Sequence, residues 1–422
     1  MSDTTTLHAS AATNAIGTRH AVVLIADKFE RQGIDALTSF GCVVHNEAGA
    51  TADDLPELIR THDPDIIIVR STKIREDALT VPSRLSLIVR AGAGYDNIDV
   101  TTASARGIYV ANTPGKNAIA VAELTWGLIL ACDRRIPDQV RDLRNGRWDK
   151  KGYGDGMGMY GRTLGIIGLG EIGTEVARRG RAFGMNVIAW SRSLTEDRAD
   201  ELDIGFCTSY FNLAKMSDVI SVHVAATPET HHFINADFFH TVKEGSIFVN
   251  TSRGTTVEPT ALANAIREKK IRVGLDVYAQ QPAPTEDTFA DPIVELPHVY
   301  GTHHNGASTA QAQQAIATET VRVVTNYLTT GSVLHCVNRA LSSTATSLLT
   351  VRHLNKPGVL SRIFEVIGKS QINVEEMENI IYDGAKAACA RIYLDGTLED
   401  ADQQAIREHP AVLSVAQTDV PR

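Results

Sequence analysis

Gly165-Ile166-Ile167-Gly168-Leu169-Gly170-Glu171-Ile172-Gly173 is the stretch on which the reading of this chain turns. Residues 162–167 form a short apolar run of strand type. Residues 174–181 carry helix formers around an apolar patch at Val176 and Ala177. The G-x-G-x-x-G spacing therefore falls where a strand turns into a helix, and a second strand is predicted at 186–190. Gly168 permits the tight turn, Gly170 lets a pyrophosphate approach the backbone with no Cβ in the way, and Gly173 lets the helix lie close to the strand. Free N–H groups at the helix start, with the positive end of its dipole, suit phosphate oxygens. The stretch reads as the core of a dinucleotide-binding unit.

Around it lie 422 residues, which implies two or three domains. A 43% apolar and 22% charged composition is that of a globular protein, and the net charge of −9 speaks against nucleic-acid or membrane-surface partners. No apolar run approaches the roughly 20 residues that span a bilayer. Residues 1–18 are Ser/Thr/Ala-rich without Lys or Arg, and read as a disordered tail, not a signal or transit peptide. Cys42, Cys132, Cys207, Cys336 and Cys389 lie far apart with no C-x-x-C pair, so neither a structural metal nor a disulfide framework is expected, and the cytoplasm is the expected compartment.

Upstream, strands are predicted at 20–26, 42–45, 66–69 and 86–89, with helices at 30–40 and 55–62, which is a small parallel α/β unit. Ligands gather at the carboxyl ends of such strands, where Arg70, Lys73 and Arg90 stand as candidate anion ligands, with Gly92 and Ala93 beside them. Residues 118–134 are apolar on most faces and read as a domain-linking helix or a subunit contact. Residues 145–160 are a Gly-rich loop. Downstream, strands are predicted at 219–224, 246–250, 273–277 (with Asp276 inside) and 299–301. Polar clusters follow them: Thr251-Ser252-Arg253-Gly254, Gln280-Gln281-Pro282 and His303-His304-Asn305-Gly306. That places Arg253, Gln281 and His304 at one crevice. A long helix at 310–328 and a polar hinge at 329–344 precede a new unit, predicted as β-α-β-β-α-β over residues 348–417, the ferredoxin-like order.

With Gly168-Leu169-Gly170-Glu171-Ile172-Gly173, Thr251-Ser252-Arg253-Gly254 and His304-Asn305-Gly306-Ala307-Ser308-Thr309, the chain resembles the D-isomer-specific 2-hydroxyacid dehydrogenases. Arg70-Ser71-Thr72-Lys73, Arg90-Ala91-Gly92-Ala93-Gly94-Tyr95-Asp96-Asn97-Ile98-Asp99 and Val110-Ala111-Asn112-Thr113-Pro114-Gly115 narrow the resemblance to the phosphoglycerate dehydrogenases that end in an ACT domain. The resemblance implies a Rossmann-type nucleotide domain (115–305) inserted in a flavodoxin-like α/β catalytic domain (19–114 and 306–330), a linker (331–345) and a ferredoxin-like ACT domain (346–422). It implies oxidation of 3-phospho-D-glycerate to 3-phosphohydroxypyruvate with NAD, on the route to L-serine. Arg253 would clamp the substrate carboxylate, and His304 would exchange the hydroxyl proton. Asp276 would hold the nicotinamide carboxamide, while Gly168, Gly170, Glu171, Ile172, Gly173, Val224, Thr251 and Ser252 would line the cofactor. Arg70 and Lys73, then Arg90, are the phosphate candidates. His353, Asn355 and Asn373 match effector positions of the ACT unit, with L-serine as the effector. ACT pockets form between chains, so a homodimer or homotetramer is implied.

The sequence departs from the family at two places. Gln281 stands where a glutamate is usual. An amide can orient the His304 ring but brings no charge to favour the imidazolium. Formate dehydrogenases of the same superfamily pair a glutamine with the histidine, and Gln281-Pro282-Ala283-Pro284 looks like theirs, but they lack an ACT-like tail. Ser191, followed by Arg192, stands where NAD-specific members carry an acid, which opens the site to NADP. Two alternatives stay open: another D-2-hydroxyacid dehydrogenase, such as a hydroxypyruvate or glyoxylate reductase, and a non-catalytic nucleotide sensor on the same fold.

Overall fold

Short Val/Ile-rich runs, each followed by a helical stretch, build two parallel sheets in the computed structural model, which describes residues 20–282, 288–340 and 342–420. The tail at 1–18 and the Ala283-Pro284 pair lie outside the described residues. The chain divides into two compact units, ending and beginning at Asn338 and Arg339.

The first unit holds both parallel sheets. Strands β1 (Val22–Ile25), β2 (Val43–Asn46), β3 (Ile66–Val69), β4 (Leu87–Arg90) and β5 (Tyr109–Ala111) form one sheet in the order β2-β1-β3-β4-β5. That 2-1-3-4-5 order is the flavodoxin-like one. Every residue of β3 is buried, as expected of a parallel strand covered on both faces. The second sheet contains β6 (Thr163–Ile167), β7 (Asn186–Trp190), β8 (Gly205–Phe206), β9 (Val219–Val222), β10 (Ile247–Asn250), β11 (Arg272–Leu275) and β12 (Val299–Gly301). Its order is β12-β11-β10-β9-β6-β7-β8, so the direction of winding reverses between β6 and β9. A crevice opens at such a switch point. The Gly168 loop leaves β6 there, and Val224 lies two residues beyond β9.

Two crossings join the lobes. After the first, the helix Ala118–Arg134 lies against β10, β11, β12 and the helix Glu171–Ala182. Trp126 Nε1 donates to Val176 O at 3.2 Å, and its ring stacks on Phe183 with centroids 4.4 Å apart. Its apolar character is thus used within the second lobe. After the second crossing, the helix Ala310–Thr330 returns to the first sheet, where Ile316, Val323, Val324 and Leu328 join Val23, Ile25, Leu37 and Ile68 in one core.

Two expectations need correction. β11 ends at Leu275, because β12, its neighbour, stops at Gly301; Asp276 is therefore the first residue past the strand, not inside it. The 331–345 segment is not free from its start. Strand β5 is an edge whose backbone groups need partners. Val337 N donates to Val110 O at 2.8 Å, Val110 N donates to Asn338 Oδ1 at 2.9 Å, and Ala111 bridges to Cys336. Below this, the buried Glu319 carboxylate collects Lys116 Nζ at 3.3 Å, His335 Nε2 at 2.7 Å and the Arg322 guanidinium. Those hydrogen bonds hold its pKa well below the usual carboxylate range.

The second unit alternates β13 (Ser347–Leu354), the helix Val359–Lys369, β14 (Val374–Ile381), β15 (Ala387–Leu394), the helix Asp400–Arg407 and β16 (Val412–Asp419). Its sheet is antiparallel in the order β14-β15-β13-β16. Leu349 and Val351 face Ile363, Val366 and Ile367 in the core beneath it.

Candidate active site

The turn after β10 is set by Asn250. Its Oδ1 accepts from Ser252 N (2.9 Å) and Ser252 Oγ (2.7 Å), and its Nδ2 donates to Arg253 O (3.0 Å). Thr251 Oγ1 lies 2.9 Å from Thr125 Oγ1, which pins the turn to the helix Ala118–Arg134. At Gly254 a Cβ would fall 2.0 Å from the Tyr278 carbonyl, so no larger residue fits. Asn250 was not singled out from sequence, although an Asn closing a strand ahead of Ser is an Asx-turn signal.

That turn sends Arg253 across to the first lobe. Its Nη2 donates to Asp96 Oδ1 at 2.9 Å, its Nε lies 3.2 Å from Asp96 Oδ2, and its Nη1 donates to Ser252 O at 2.9 Å. Beside it, Arg90 folds back over Gly92, where a Cβ would fall 1.5 Å from Nη1. Arg90 Nε is buried without a partner, and burial, with Arg253 adjacent, lowers its pKa to about 10. It stays cationic at neutral pH, with Asp96 and Asp27 the carboxylates that act on it. Arg70 adds to the same field, and its Nη2 lies 3.4 Å from Ser308 Oγ. The backbone of the Arg70 loop is already spoken for: Asp27 Oδ2 accepts from Arg70 N (2.7 Å), Ser71 N (3.0 Å) and Thr72 N (3.0 Å). Lys73 is exposed, and among the described residues no hydrogen bond or ion pair ties it to the cluster. Gly92 O and Ala93 O accept from Thr113 N (3.0 Å) and Asn112 Nδ2 (2.6 Å), which knits this loop to the first crossing.

His304 completes the group. Its backbone is left-handed, with φ of 52°, a conformation that costs energy for a non-glycine residue and clusters at functional sites. Gln281 Oε1 lies 2.9 Å from Nδ1. The amide oxygen only accepts, so Nδ1 carries the proton in the neutral ring and Nε2 keeps the lone pair. The residue is exposed, and charged groups from both lobes act on it. Burial holds its pKa below the ordinary value; Arg253 and Arg90 push the same way, while Asp276 and Asp96 oppose them. Asp276 does more than the sequence suggested. It is almost wholly buried, its Oδ1 accepts from Thr302 Oγ1 (2.6 Å) and Asn305 N (2.9 Å), and its Oδ2 accepts from Gly306 N (3.0 Å). It therefore ties down the loop that carries His304.

The glycine loop fits a dinucleotide. A Cβ on Gly168 (φ 94°) would meet His223 O at 2.6 Å, and one on Gly173 would meet Gly168 O at 2.2 Å. Gly170 faces open space, so its missing Cβ clears room outside the protein. The helix Glu171–Ala182 begins there without a side-chain cap, leaving its first N–H groups for a ligand. Glu171 is exposed, and Ile172 and Ser191 are half-buried. Val224 stands against Gly168, and Thr251 and Ser252 are buried at the next strand end. Arg192 is exposed and makes no ion pair among the described residues. His223 was missed: its Nε2 lies 2.8 Å from Ser221 Oγ, its Nδ1 is buried without a partner, and burial lowers its pKa to about 3.

In the second unit, His353 is buried, with Nδ1 2.9 Å from Leu354 O and Nε2 3.2 Å from Asn379 Oδ1. Asn355 Nδ2 donates to Ala385 O at 3.0 Å. Asn373 lies just before β14, and Asn355 just after β13. Both strands run antiparallel to β15, so these two asparagines stand at opposite ends of the sheet and are not brought together within one chain.

Residues 126–306 match the model of the NAD binding domain of the D-isomer specific 2-hydroxyacid dehydrogenases. A hydroxypyruvate reductase from Thermotoga maritima is 42% identical over 274 residues, 64% of this chain and 87% of that protein. A D-3-phosphoglycerate dehydrogenase from Methanocaldococcus jannaschii is 40% identical over 298 residues, 70% of this chain and 55% of that protein. The crystal structure of an NADPH-dependent glyoxylate/hydroxypyruvate reductase from Sinorhizobium meliloti superposes with a TM-score of 0.64 at 27% identity, over 76% of this chain and all of that one. The chain belongs to the D-isomer specific 2-hydroxyacid dehydrogenase family. Its second lobe is that family's NAD-binding domain. The match to the phosphoglycerate dehydrogenases spans about half of their length.

Proposed function

We propose that the protein oxidises 3-phospho-D-glycerate to 3-phosphohydroxypyruvate, and catalyses the reverse reduction, in L-serine biosynthesis. The observation that carries this reading is the convergence of Arg253, Arg90 and Arg70 beside the His304–Gln281 pair. A substrate with a carboxylate at one end and a phosphate at the other needs several cations around one proton-exchanging group. In the oxidation, neutral His304 accepts the C2 hydroxyl proton at Nε2; in the reduction, its protonated form returns it. Arg253 takes the carboxylate and polarises the C2 oxygen. Hydride acceptance from C2 is the chemistry supplied by a bound nicotinamide. Gly168, Gly170, Glu171, Ile172 and Gly173 would hold its pyrophosphate, Val224, Thr251 and Ser252 its nicotinamide end, and Asp276 the carboxamide, through acceptor capacity left by its loop contacts.

The lowered His304 pKa sets the pH dependence. Reduction needs the imidazolium, so its rate falls as pH rises through that pKa, and the fall begins below the ordinary histidine range. Oxidation needs the neutral ring and persists to correspondingly lower pH. Gln281→Glu is expected to move both limbs upward, because a carboxylate on Nδ1 favours the charged ring. Each unit of movement raises the protonated fraction about tenfold on the alkaline side. A pH–rate profile of the variant that coincides with the wild type would refute this.

Ser191 and Arg192 admit either dinucleotide. NADH and NADPH are both expected to serve, and Arg192→Ala should raise the KM for NADPH by about tenfold with little change for NADH, through loss of one charge-assisted contact. Equal effects on both would remove Arg192 from the 2′-phosphate site.

The test of the reading is an assay of purified protein with phosphohydroxypyruvate, hydroxypyruvate and glyoxylate in parallel. Strong preference for the first supports it. Turnover of only the unphosphorylated acids favours the second reading, a hydroxypyruvate or glyoxylate reductase. One observation speaks for that alternative: Asp27 occupies the amides of the Arg70 loop, and Lys73 is exposed. For assembly we infer a homodimer or homotetramer. Ile136, Leu143, Trp148 and Tyr160 are exposed on the helix Ile136–Arg144 and the loop after it, Trp148 at 81%, and this apolar surface suits a second copy. We read the terminal unit as an ACT domain with L-serine as effector, bound between copies, since His353, Asn355 and Asn373 do not meet within one chain. Calorimetry on the full chain with L-serine, showing no heat and no inhibition, would dismiss it. A cytoplasmic location follows from the same reading.

A further inference from the structure

Arg253 has five N–H donors, and the protein uses three of them. Nε–H and one Nη2–H meet Asp96, at 3.2 Å and 2.9 Å, and one Nη1–H meets Ser252 O at 2.9 Å. One donor on each terminal nitrogen is left, and guanidinium donors suit the oxygens of a carboxylate. Among the described residues, Asp96 is the one carboxylate paired with Arg253, and it comes from the facing lobe. Its loop is shaped to the guanidinium: at Gly94 a Cβ would fall 2.0 Å from Nη2. Against His304, the partner is the uncharged Gln281.

We propose that Asp96 is a positioning residue for the reaction. It fixes the plane of Arg253 from across the cleft, with the two remaining donors free for the substrate carboxylate, and it is, after Asp276, the second carboxylate that favours the charged His304 ring. The inference rests on the 2-hydroxyacid dehydrogenase reading of the site. The charged groups that face His304 are Arg253, Arg90, Asp276 and Asp96. Of the two carboxylates, Asp276 is bound up with the His304 loop itself, so Asp96 is the one whose position depends on the other lobe. Burial pushes the Asp96 pKa up, but the hydrogen bond and charge of Arg253, with Arg90 behind, outweigh it and leave it lowered, so the group is anionic where the enzyme works.

The test is steady-state reduction of phosphohydroxypyruvate and hydroxypyruvate by the full-length protein across roughly pH 5 to 9, the range in which histidine titrates. Asp96→Asn keeps the size and one acceptor but loses the charge. It is expected to raise the KM for the 2-oxo acid on the order of 10- to 100-fold, the range of a lost hydrogen bond to a charged group, with the KM for dinucleotide unchanged. It should also move the alkaline limb to lower pH, because His304 loses a carboxylate that favours its protonated form. Gln281→Glu in the same chain should bring that limb back, and Asp96→Glu should retain it. An Asp96→Asn profile and KM equal to wild type would overturn the proposal, as would a limb that Gln281→Glu fails to restore. If the wild type turns over none of the acids, the dehydrogenase reading falls by itself. Asp96 is then decided by oxamate binding to the dinucleotide-bound protein: weaker binding in Asp96→Asn supports the positioning role, and equal binding overturns it.

Discussion

His304→Asn is expected to lower kcat in both directions by about two to four orders of magnitude, the range for a positioned acid–base group, while dinucleotide affinity stays near wild type. Asparagine is the informative replacement. The backbone at this position has φ of 52°, which asparagine adopts more readily than alanine or a branched residue, so the loop keeps its course. Asp276 continues to hold that loop through Asn305 N and Gly306 N, since neither contact involves the imidazole. The loss then falls on proton exchange alone. Turnover within tenfold of wild type would mean that the proton leaves by another route and that His304 is not the acid–base group.

Arg253→Lys is expected to lower kcat/KM by about two to three orders of magnitude, as for loss of a preorganised donor at a reacting oxygen. Lysine keeps the charge but loses the planar fork. It cannot meet Asp96, Ser252 O and a substrate carboxylate together, as the guanidinium can. Because the charge remains, the pH limb assigned to His304 should stay close to its wild-type place. Arg253→Gln removes the charge as well, and should move that limb upward, since Arg253 holds the His304 pKa down. A lysine variant as active as wild type would show that a point charge suffices and that the geometry at this position is not used.

The two lobes could be read from the chain because their strands are parallel and covered on both faces. Runs such as Ile66-Ile67-Ile68-Val69 are therefore continuously apolar and easily seen. Polar clusters just past those runs fall at the carboxyl ends of the strands, so Arg253 and His304 could be placed at one crevice before any coordinates. What could not be read are partnerships between distant side chains. Asp96 and Arg253 are 157 positions apart, and nothing local to either announces the pair. Asp27 collecting three amides of the Arg70 loop depends on β1 and β3 being neighbours, a fact of the sheet order. The early part of the linker looked free because its polar composition hides the fact that β5 needs backbone partners. Asn355 and Asn373 were grouped by resemblance as ligands of a pocket between chains, and strand direction puts them at opposite ends of one sheet.

The pairing of β5 with the segment around Cys336 and the seating of the helix Ala310–Thr330 on the first sheet bear on how the molecule is made. During synthesis, the five strands of the first sheet emerge early, and the elements that cover one face and close one edge emerge roughly 200 residues later. In between, the whole dinucleotide lobe is made as one continuous stretch. The lobe that is first in sequence is thus last to be finished. Until then Val23, Ile25, Ile68 and Val89 lack Ile316, Val323, Val324 and Leu328, the helix residues that share their core. Nascent chains halted before residue 338 should therefore bind chaperones and be cut by proteases within the first hundred or so residues, with the dinucleotide lobe resisting.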